Sequence, residues 1–409
     1  MKAVVFHDIG DIRLDTVPDP TLERADDAIV RITSSAICGT DLHMIRGTLG
    51  GMKPGTVLGH EGVGIVEDVG GDVRNLRRGA RVVIPSTISC GACSYCRAGY
   101  TAQCDAANPH GAQAGTAFYG GPESTGPFNG LQAQYARTSR ANASLVALPD
   151  DIDDDRAILL SDIFPTGYFG AQLAEVRDGN TVVVYGAGPV GLFAIASARL
   201  MGAGRIFSVD HEPSRLDMAR ALGAETINFS EEDPVEVLLE LTRGIGADRV
   251  IDAVGVDAQR APSGDKAEDK AGDHAGDAEE KQQFAQEVEE ITQGKAGEGR
   301  LWKPGDGPSQ VLRWAVKTVA KAGTIGIIGV YPPNDRVFPI GEAMNRNLTV
   351  KMGNCNHRTL IPKLVGLVRE GGFDPLAILT QREPLTHVLD AYRAFDTREP
   401  GWIKVKLEP

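Results

Sequence analysis

The sequence predicts an α/β chain whose second half is a doubly wound parallel sheet. Two observations carry this: a glycine-punctuated strand-to-helix turn near residue 186, and the alternation of apolar runs with helix-period segments that follows it. Composition agrees, because 409 residues with 42% hydrophobic and 24% charged content suffice for two or three ordinary packed domains.

The turn comes first. A β-branched run, "TVVVY", leads into G-x-G-x-x-G at Gly186, Gly188 and Gly191, then into "LFAIASARLMGA", whose apolar spacing is helical. The first glycine makes the tight turn, the second lets a pyrophosphate approach the backbone, and the third lets helix and strand pack closely. Pro189 and Val190 complete the phosphate loop, with the free N–H groups of the helix start favouring anions. The next strand, "RIFSVD", ends in Asp210, where a carboxylate accepts from ribose hydroxyls and repels a 2′-phosphate, so NAD is expected over NADP. Arg215 lies five residues on, a basic side chain that runs against this preference or an ordinary surface charge. Strands "RVIDAVG" (249–255) and "GTIGIIGVY" (323–331), separated by a helix over 310–323, extend the sheet.

The first half holds four of the six cysteines within fifteen residues, Cys90, Cys93, Cys96 and Cys104. Disulfides would need an oxidising compartment, and the N-terminus "MKAVVFHDIGDIRL" has no export signal. C-x2-C-x2-C-x7-C instead lets short loops fold four thiolates around one tetrahedral ion, which suits structural zinc. An iron–sulfur cluster or a redox thiol switch is the alternative.

A second constellation is "AICGTDLHMIRG" (36–47), with Cys38, Thr40 and His43, followed by "VLGHEGVGIVEDVG" (57–70), with His60 and Glu61. Taken with the four-cysteine lobe and the dinucleotide motif, this pattern resembles the zinc-dependent medium-chain alcohol dehydrogenase family over nearly the whole chain. The resemblance implies a GroES-like, mostly β catalytic domain over 1–162, a Rossmann NAD-binding domain over 163–352, and a return to the catalytic domain over 353–409. It implies two zinc ions per chain, one structural and one catalytic, and a homo-oligomer, dimer or tetramer.

A catalytic zinc needs three protein ligands and an open position. Cys38 and His60 supply two. Where the best-known relatives have a third cysteine, this chain reads "LLSDIFPTGYFGAQLA" (159–174), so the resemblance, here to the formaldehyde dehydrogenase branch, makes Asp162 the third ligand. Glu61 is expected behind the metal. Thr40 and His43 match the family's proton relay, with His43 at its surface end. By resemblance alone, Val254, Gly255, Ile328, Val330 and Thr166 lie near the nicotinamide, Arg215 contacts the ribose side and Lys404 contacts the pyrophosphate. Ser86 matches a substrate-pocket position, and Phe118, Tyr119 and Phe128 are candidates for the remaining wall.

The expected reaction is hydride transfer between an alcohol, or a hydrated aldehyde such as formaldehyde, and NAD. A formaldehyde dismutase with tightly held NAD, and a non-catalytic dinucleotide-binding redox sensor, are the alternatives. The formal charge of −13 excludes the basic face of a nucleic-acid binder, and no apolar run reaches the length of a membrane span, so a soluble, cytoplasmic protein with a small-molecule partner is expected. Part of that charge is local: residues 257–306 hold thirteen acids against seven bases. The insertion 257–308 begins as low-complexity sequence too polar for a core, expected to be mobile, and continues as "EEKQQFAQEVEEITQG", expected to form a short helix without catalytic role.

Overall fold

The computed structural model describes residues 1–111, 113–261, 274–295 and 301–409. The chain divides into two units: Met1–Ile45, Gly50–Thr166 and Asn354–Pro409 form the first, Arg46–Leu49 and Gly167–Gly353 the second. Among the described residues no helix is long and apolar enough to cross a membrane.

The first unit is organised around the strand Ala28–Ile37. Gly62–Val69 pairs with it antiparallel on one side and Val405–Glu408 on the other, while Arg81–Ile84, Val146–Ala147 and Gln381–Pro384 extend the sheet to seven strands with Tyr135–Thr138. Val30, Ile32, Val66, Val82, Ile84 and Leu131 form one buried cluster, each such side chain contributing roughly 1.5–3 kcal/mol of burial. Two details of this sheet place the chemistry. The strand Ala28–Ile37 ends immediately before Cys38, and the register Val405↔Ile37 brings the chain's last strand, and with it Lys404, alongside that end.

The second unit carries a six-stranded parallel sheet of Thr181–Tyr185, Arg205–Asp210, Glu225–Asn228, Ala247–Asp252, Val319–Ile327 and Thr349–Met352. Their spatial order is 3-2-1-4-5-6, the doubly wound arrangement. "TVVVY" and "RIFSVD" are buried at nearly every position, as expected of strands covered on both faces. The helix expected over 310–323 spans only Gln310–Thr318, and the strand begins at Val319. Thr318 closes the last turn: its hydroxyl donates back to Trp314 O and meets Tyr185 Oη at 2.8 Å. A hydroxyl that satisfies the helix end locally favours termination there.

The mobile excursion expected in the insertion falls on 262–273, outside the described residues. The helix that follows, His274–Thr292, has 19 residues and is docked on the second unit. Phe284 is 1% exposed with the Arg313 guanidinium over its ring. Buried Glu287 accepts from Ser309 N and Ser309 Oγ at the start of the helix Gln310–Thr318. Asn334 Nδ2 donates to the backbone carbonyls of Glu290 and Ile291.

Candidate active site

Three separate local structures present one set of donors in the first unit. Cys38 follows the central strand and precedes the helix Gly39–Arg46; Asp41, in the first turn of that helix, accepts the Cys38 backbone N–H at 3.0 Å and fixes the turn. His60 follows Gly59, which adopts φ +91° and whose absent Cβ would lie 2.4 Å from the Gln132 side chain. Only glycine fits there. Asp162 sits at a break between the helices Asp154–Ser161 and Ile163–Leu173, with φ −146° and ψ −65°. The break follows from Pro165, whose ring would clash with the Ser161 carbonyl if one helix ran through. The carboxylate is thereby turned out of the helical path and inward.

The donors converge: one ligand atom each from Cys38, His60, Glu61 and Asp162 lie within 4.8 Å of one another, all buried. His60 Nε2 is 3.2 Å from Asp162 Oδ2 and Nδ1 is 3.3 Å from Asp41 Oδ1, yet neither ring nitrogen makes an aligned hydrogen bond. Burial raises the Cys38 thiol's pKa, against the opposing pull of His60. Burial works against a charged His60, but Asp41 and Asp162 outweigh it and hold the imidazole well above its ordinary range. Burial likewise opposes an ionised Asp162, yet the hydrogen bond from His357 and the adjacent His60 imidazole hold its pKa well below the usual carboxylate value. A buried thiol, imidazole and carboxylate at this spacing, with the imidazole nitrogens unpartnered, fit a divalent metal with mixed S, N and O ligands.

Glu61 stands behind this set. Its Oε1 accepts from Lys404 Nζ at 2.5 Å, Oε2 has no partner, and burial lifts its pKa to about 7 against the pull of Lys404. Lys404 therefore departs from expectation. Far from offering its charge to a pyrophosphate, it is fully buried in the first unit, donating to Glu61 and to Ile37 O. The strand register explains this, since pairing beside Ile37 turns its side chain into the donor cluster.

Thr40 Oγ1 lies 3.9 Å from Cys38 Sγ. His43, expected at the surface, is 5% exposed and shares a helix face with Thr40 three residues before it. Thr166 donates to Asp162 Oδ1 at 2.9 Å. Ser86 is buried and within 3.5 Å of the same oxygen. Phe118 packs edge-on to His60. Tyr119 and Phe128 do not join it: they pack on each other in the apolar cluster that also contains Cys96 and Cys104.

In the four-cysteine lobe, one sulfur from each of Cys90, Cys93, Cys96 and Cys104 lies within 4.8 Å of the others. Backbone N–H groups aim at them: Ala92 and Cys93 donate to Cys90, Cys96 to Cys93, and Cys90 to Cys104. Burial opposes a Cys93 thiolate, but the N–H groups of Cys96 and Asp105 bring its pKa down to about 7. Such N–H···S bonds stabilise thiolates, the form that binds metal.

In the second unit, Gly186 has φ +87°, and a Cβ on Gly191 would lie 1.8 Å from Gly186 O. Gly188 faces open space, its nearest neighbour being the Arg215 guanidinium at 3.9 Å from a built Cβ. The helix Pro189–Leu200 starts there without a side-chain cap, leaving the N–H groups of Val190 and Gly191 at its start. Asp210 Oδ2 accepts from Ala187 N at 2.7 Å and Oδ1 from His211 N and Glu212 N. Burial opposes its ionisation, but Arg215 and these N–H groups lower its pKa. Val254 and Gly255 donate backbone N–H to Asp252 Oδ1, Gly255 bridges Val330, and Ile328 follows the next strand, so all lie at the carboxyl ends of adjacent parallel strands. An uncapped helix start beside an open glycine and a buried acid fits a dinucleotide.

Sequence reading missed Asp41, Gln132 and His357. Asp41 lies within the "CGTD" motif, and Gln132 donates to its Oδ2 at 3.2 Å. His357, with Nε2 2.6 Å from Asp162 Oδ1, carries no sequence signal. Burial opposes its charged form, but Cys355 and Asp162 raise its pKa to about 10.

Comparison with known proteins agrees with this geometry. Residues 24–150 match the alcohol dehydrogenase GroES-like domain and residues 189–264 the zinc-binding dehydrogenase model. The chain is 36% identical over 413 residues to the uncharacterized zinc-type alcohol dehydrogenase-like protein AdhB of Bacillus subtilis, covering 100% of both. It is 32% identical over 363 residues to the glutathione-independent formaldehyde dehydrogenase of Pseudomonas aeruginosa, covering 86% of this chain and 80% of that protein. Among solved structures, alcohol dehydrogenase TADH from Thermus sp. ATN1 superposes with a TM-score of 0.78 at 32% identity, covering 100% of this chain and 99% of that one. With full-length relatives above 30% identity and both domain models matched, the chain belongs to the zinc-type medium-chain alcohol dehydrogenase family.

Proposed function

We propose that the protein is an NAD-dependent dehydrogenase of primary alcohols or hydrated formaldehyde, with Cys38, His60 and Asp162 holding a catalytic zinc and the four-cysteine lobe a structural one. The observation that carries the reading is the buried convergence of four donor atoms within 4.8 Å around an imidazole without hydrogen bonds. Zinc, when bound, supplies the Lewis acidity that eases loss of an alcohol proton, and NAD accepts the hydride.

The chain's own residues supply the rest. Thr40 Oγ1, beside Cys38 Sγ, accepts the alcohol proton as its own hydroxyl proton moves on, and His43, one helical turn on, is the general base at the end of that relay. Phe118 gives the site an apolar wall that limits water, while Ser86 and Thr166 give it a polar one beside Asp162. The ionised Asp210 supports NAD over NADP through repulsion of a 2′-phosphate. An acid as third donor and the similarity to a formaldehyde dehydrogenase support small alcohols and hydrated formaldehyde as substrates. All six cysteines are unpaired, which supports a reducing, cytoplasmic setting.

The test is a panel of alcohols and aldehydes assayed with NAD and NADP on protein of known metal content. Two zinc ions per chain, activity with NAD, and at least a hundredfold loss of kcat/KM in Asp162→Ala are expected. Undiminished alcohol oxidation by Asp162→Ala would overturn the assignment.

A further inference from the structure

The two oxygens of Asp162 have different surroundings. Oδ1 accepts from His357 Nε2 at 2.6 Å and from Thr166 Oγ1 at 2.9 Å, with Ser86 Oγ at 3.5 Å. Oδ2 faces His60 Nε2 at 3.2 Å and Cys38 Sγ at 3.9 Å. We propose that His357 is a positioning residue for the metal centre: together with Thr166 it holds one carboxylate oxygen of Asp162, so that only the other is presented beside Cys38 and His60. The inference rests on the metal reading of those three residues.

The chemistry gives such a residue a task. A thiolate has one donor atom, whereas a carboxylate has two and can swing between one-oxygen and two-oxygen ligation. Asp162 also projects from a helix break, where its backbone is not held by a regular ladder. Its orientation must come from side chains, and ligating carboxylates are oriented by their outer hydrogen bonds.

His357 is suited to this. It is the first residue of the helix His357–Arg369, 3% exposed, and held from both sides. Thr87 Oγ1 lies 3.2 Å from Nδ1. Nε2 carries a hydrogen aimed at Asp162 in either state of the ring, with Thr87 Oγ1 donating to Nδ1 of the neutral imidazole or accepting from Nδ1 of the charged one. Asn356, the preceding residue, accepts the Ala102 N–H at 3.0 Å, and Asn354 donates to Thr116 Oγ1 at 2.7 Å, so the segment that delivers the imidazole is anchored.

The test uses the full-length zinc protein and three variants at this position. His357→Phe keeps the ring's volume without a donor, His357→Ala removes both, and His357→Gln keeps an N–H donor. Zinc affinity is read by competition with a chromophoric chelator, and ligand geometry from the visible absorption of the cobalt(II)-substituted protein. His357→Phe and His357→Ala should weaken one of the two metal sites by 10- to 100-fold and shift its cobalt bands, with the four-cysteine site unchanged. His357→Gln should recover most of the affinity and a near wild-type spectrum. A purely packing role predicts that His357→Phe behaves as wild type, which would overturn the proposal. Asp162→Asn separates the two levels of the argument. If it keeps both metals at wild-type affinity, the metal reading itself fails; if it loses one while His357→Phe keeps wild-type affinity and cobalt spectrum, the metal reading stands and the role of His357 falls.

Discussion

Replacing Lys404 by methionine isolates the buried charge behind the donor cluster. Lys404 and Glu61 are both fully inaccessible, and their 2.5 Å contact is the pairing of each charge that the fold provides. Glu61 Oε2 has no hydrogen bond, so once the ammonium is gone the carboxylate keeps no hydrogen-bond donor and only the neighbouring donor cluster opposes its charge. Methionine preserves most of the apolar stem, which confines the change to charge and donors. Removing one partner of a buried pair leaves an uncompensated ion and costs about 3–5 kcal/mol; the lost bond to Ile37 O, of about 0.5–1.5 kcal/mol, is contained within that range. Lys404→Met/Glu61→Gln removes both charges and should return most of the loss. The assay is urea unfolding of the zinc-loaded protein, comparing wild type, both single variants and the double variant as a cycle. A single-variant cost below about 1 kcal/mol, or a double variant no better than Lys404→Met, would refute the reasoning.

Two further predictions concern the second unit. A Cβ on Gly191 would meet Gly186 O at 1.8 Å, backbone that no side-chain rotation relieves, so Gly191→Ala should weaken NAD binding at least tenfold by fluorescence titration; unchanged affinity would contradict the close helix–strand contact. Asp210→Asn should lower the NAD-to-NADP preference at least tenfold in kcat/KM. Because the folded pKa of Asp210 lies below its unfolded value near 3.9, its contribution is complete above that value and lost as pH falls through the lower folded one. Acid unfolding of the variant should therefore show a shallower pH dependence in this range; an unchanged acid limb would show that the carboxylate is not held as described.

How much was legible in the sequence follows from how local each constraint is. Gly186, Gly191 and Asp210 were readable because strand, turn and helix follow each other directly and each glycine has a steric task of its own. The four cysteines were readable for the same reason, since their short spacings nearly close the tetrahedron. Cys38, His60 and Asp162 are far apart in the chain, and only the resemblance joined them. Lys404 was misplaced because its direction depends on the register of the last strand against Ile37, which no local pattern encodes. Tyr119 was misplaced because it follows Phe118 directly, and one residue separates the side chain that meets His60 from the one that enters the core; Phe128 was misplaced because its partner is Tyr119, a contact that no local pattern encodes. The end of the helix at Thr318 turned on a hydroxyl that bonds back to Trp314 and outward to Tyr185, a tertiary partner invisible to periodicity.

His357 shows what such reading leaves out and why the four-cysteine lobe matters to a centre it does not touch chemically. The residue lies 195 positions from Asp162, and nothing in "GNCNHRTL" marks it. What delivers it is the lobe. Ala102, two residues before Cys104 in the short helix Thr101–Gln103, donates its N–H to Asn356, which precedes the imidazole. A metal that fixes Cys104 thus fixes the turn that fixes Asn356, and through it the ring that holds Asp162 Oδ1. Under the proposed metal reading, four thiolates with no catalytic position of their own would act on the reaction mechanically, by limiting where one carboxylate can point. Tolerances of about 0.5 Å decide whether a ligand set is productive, and the apolar cluster buries Cys96 and Cys104 while Cys90 and Cys93 only pack against its edge, so packing alone grips one side of the lobe.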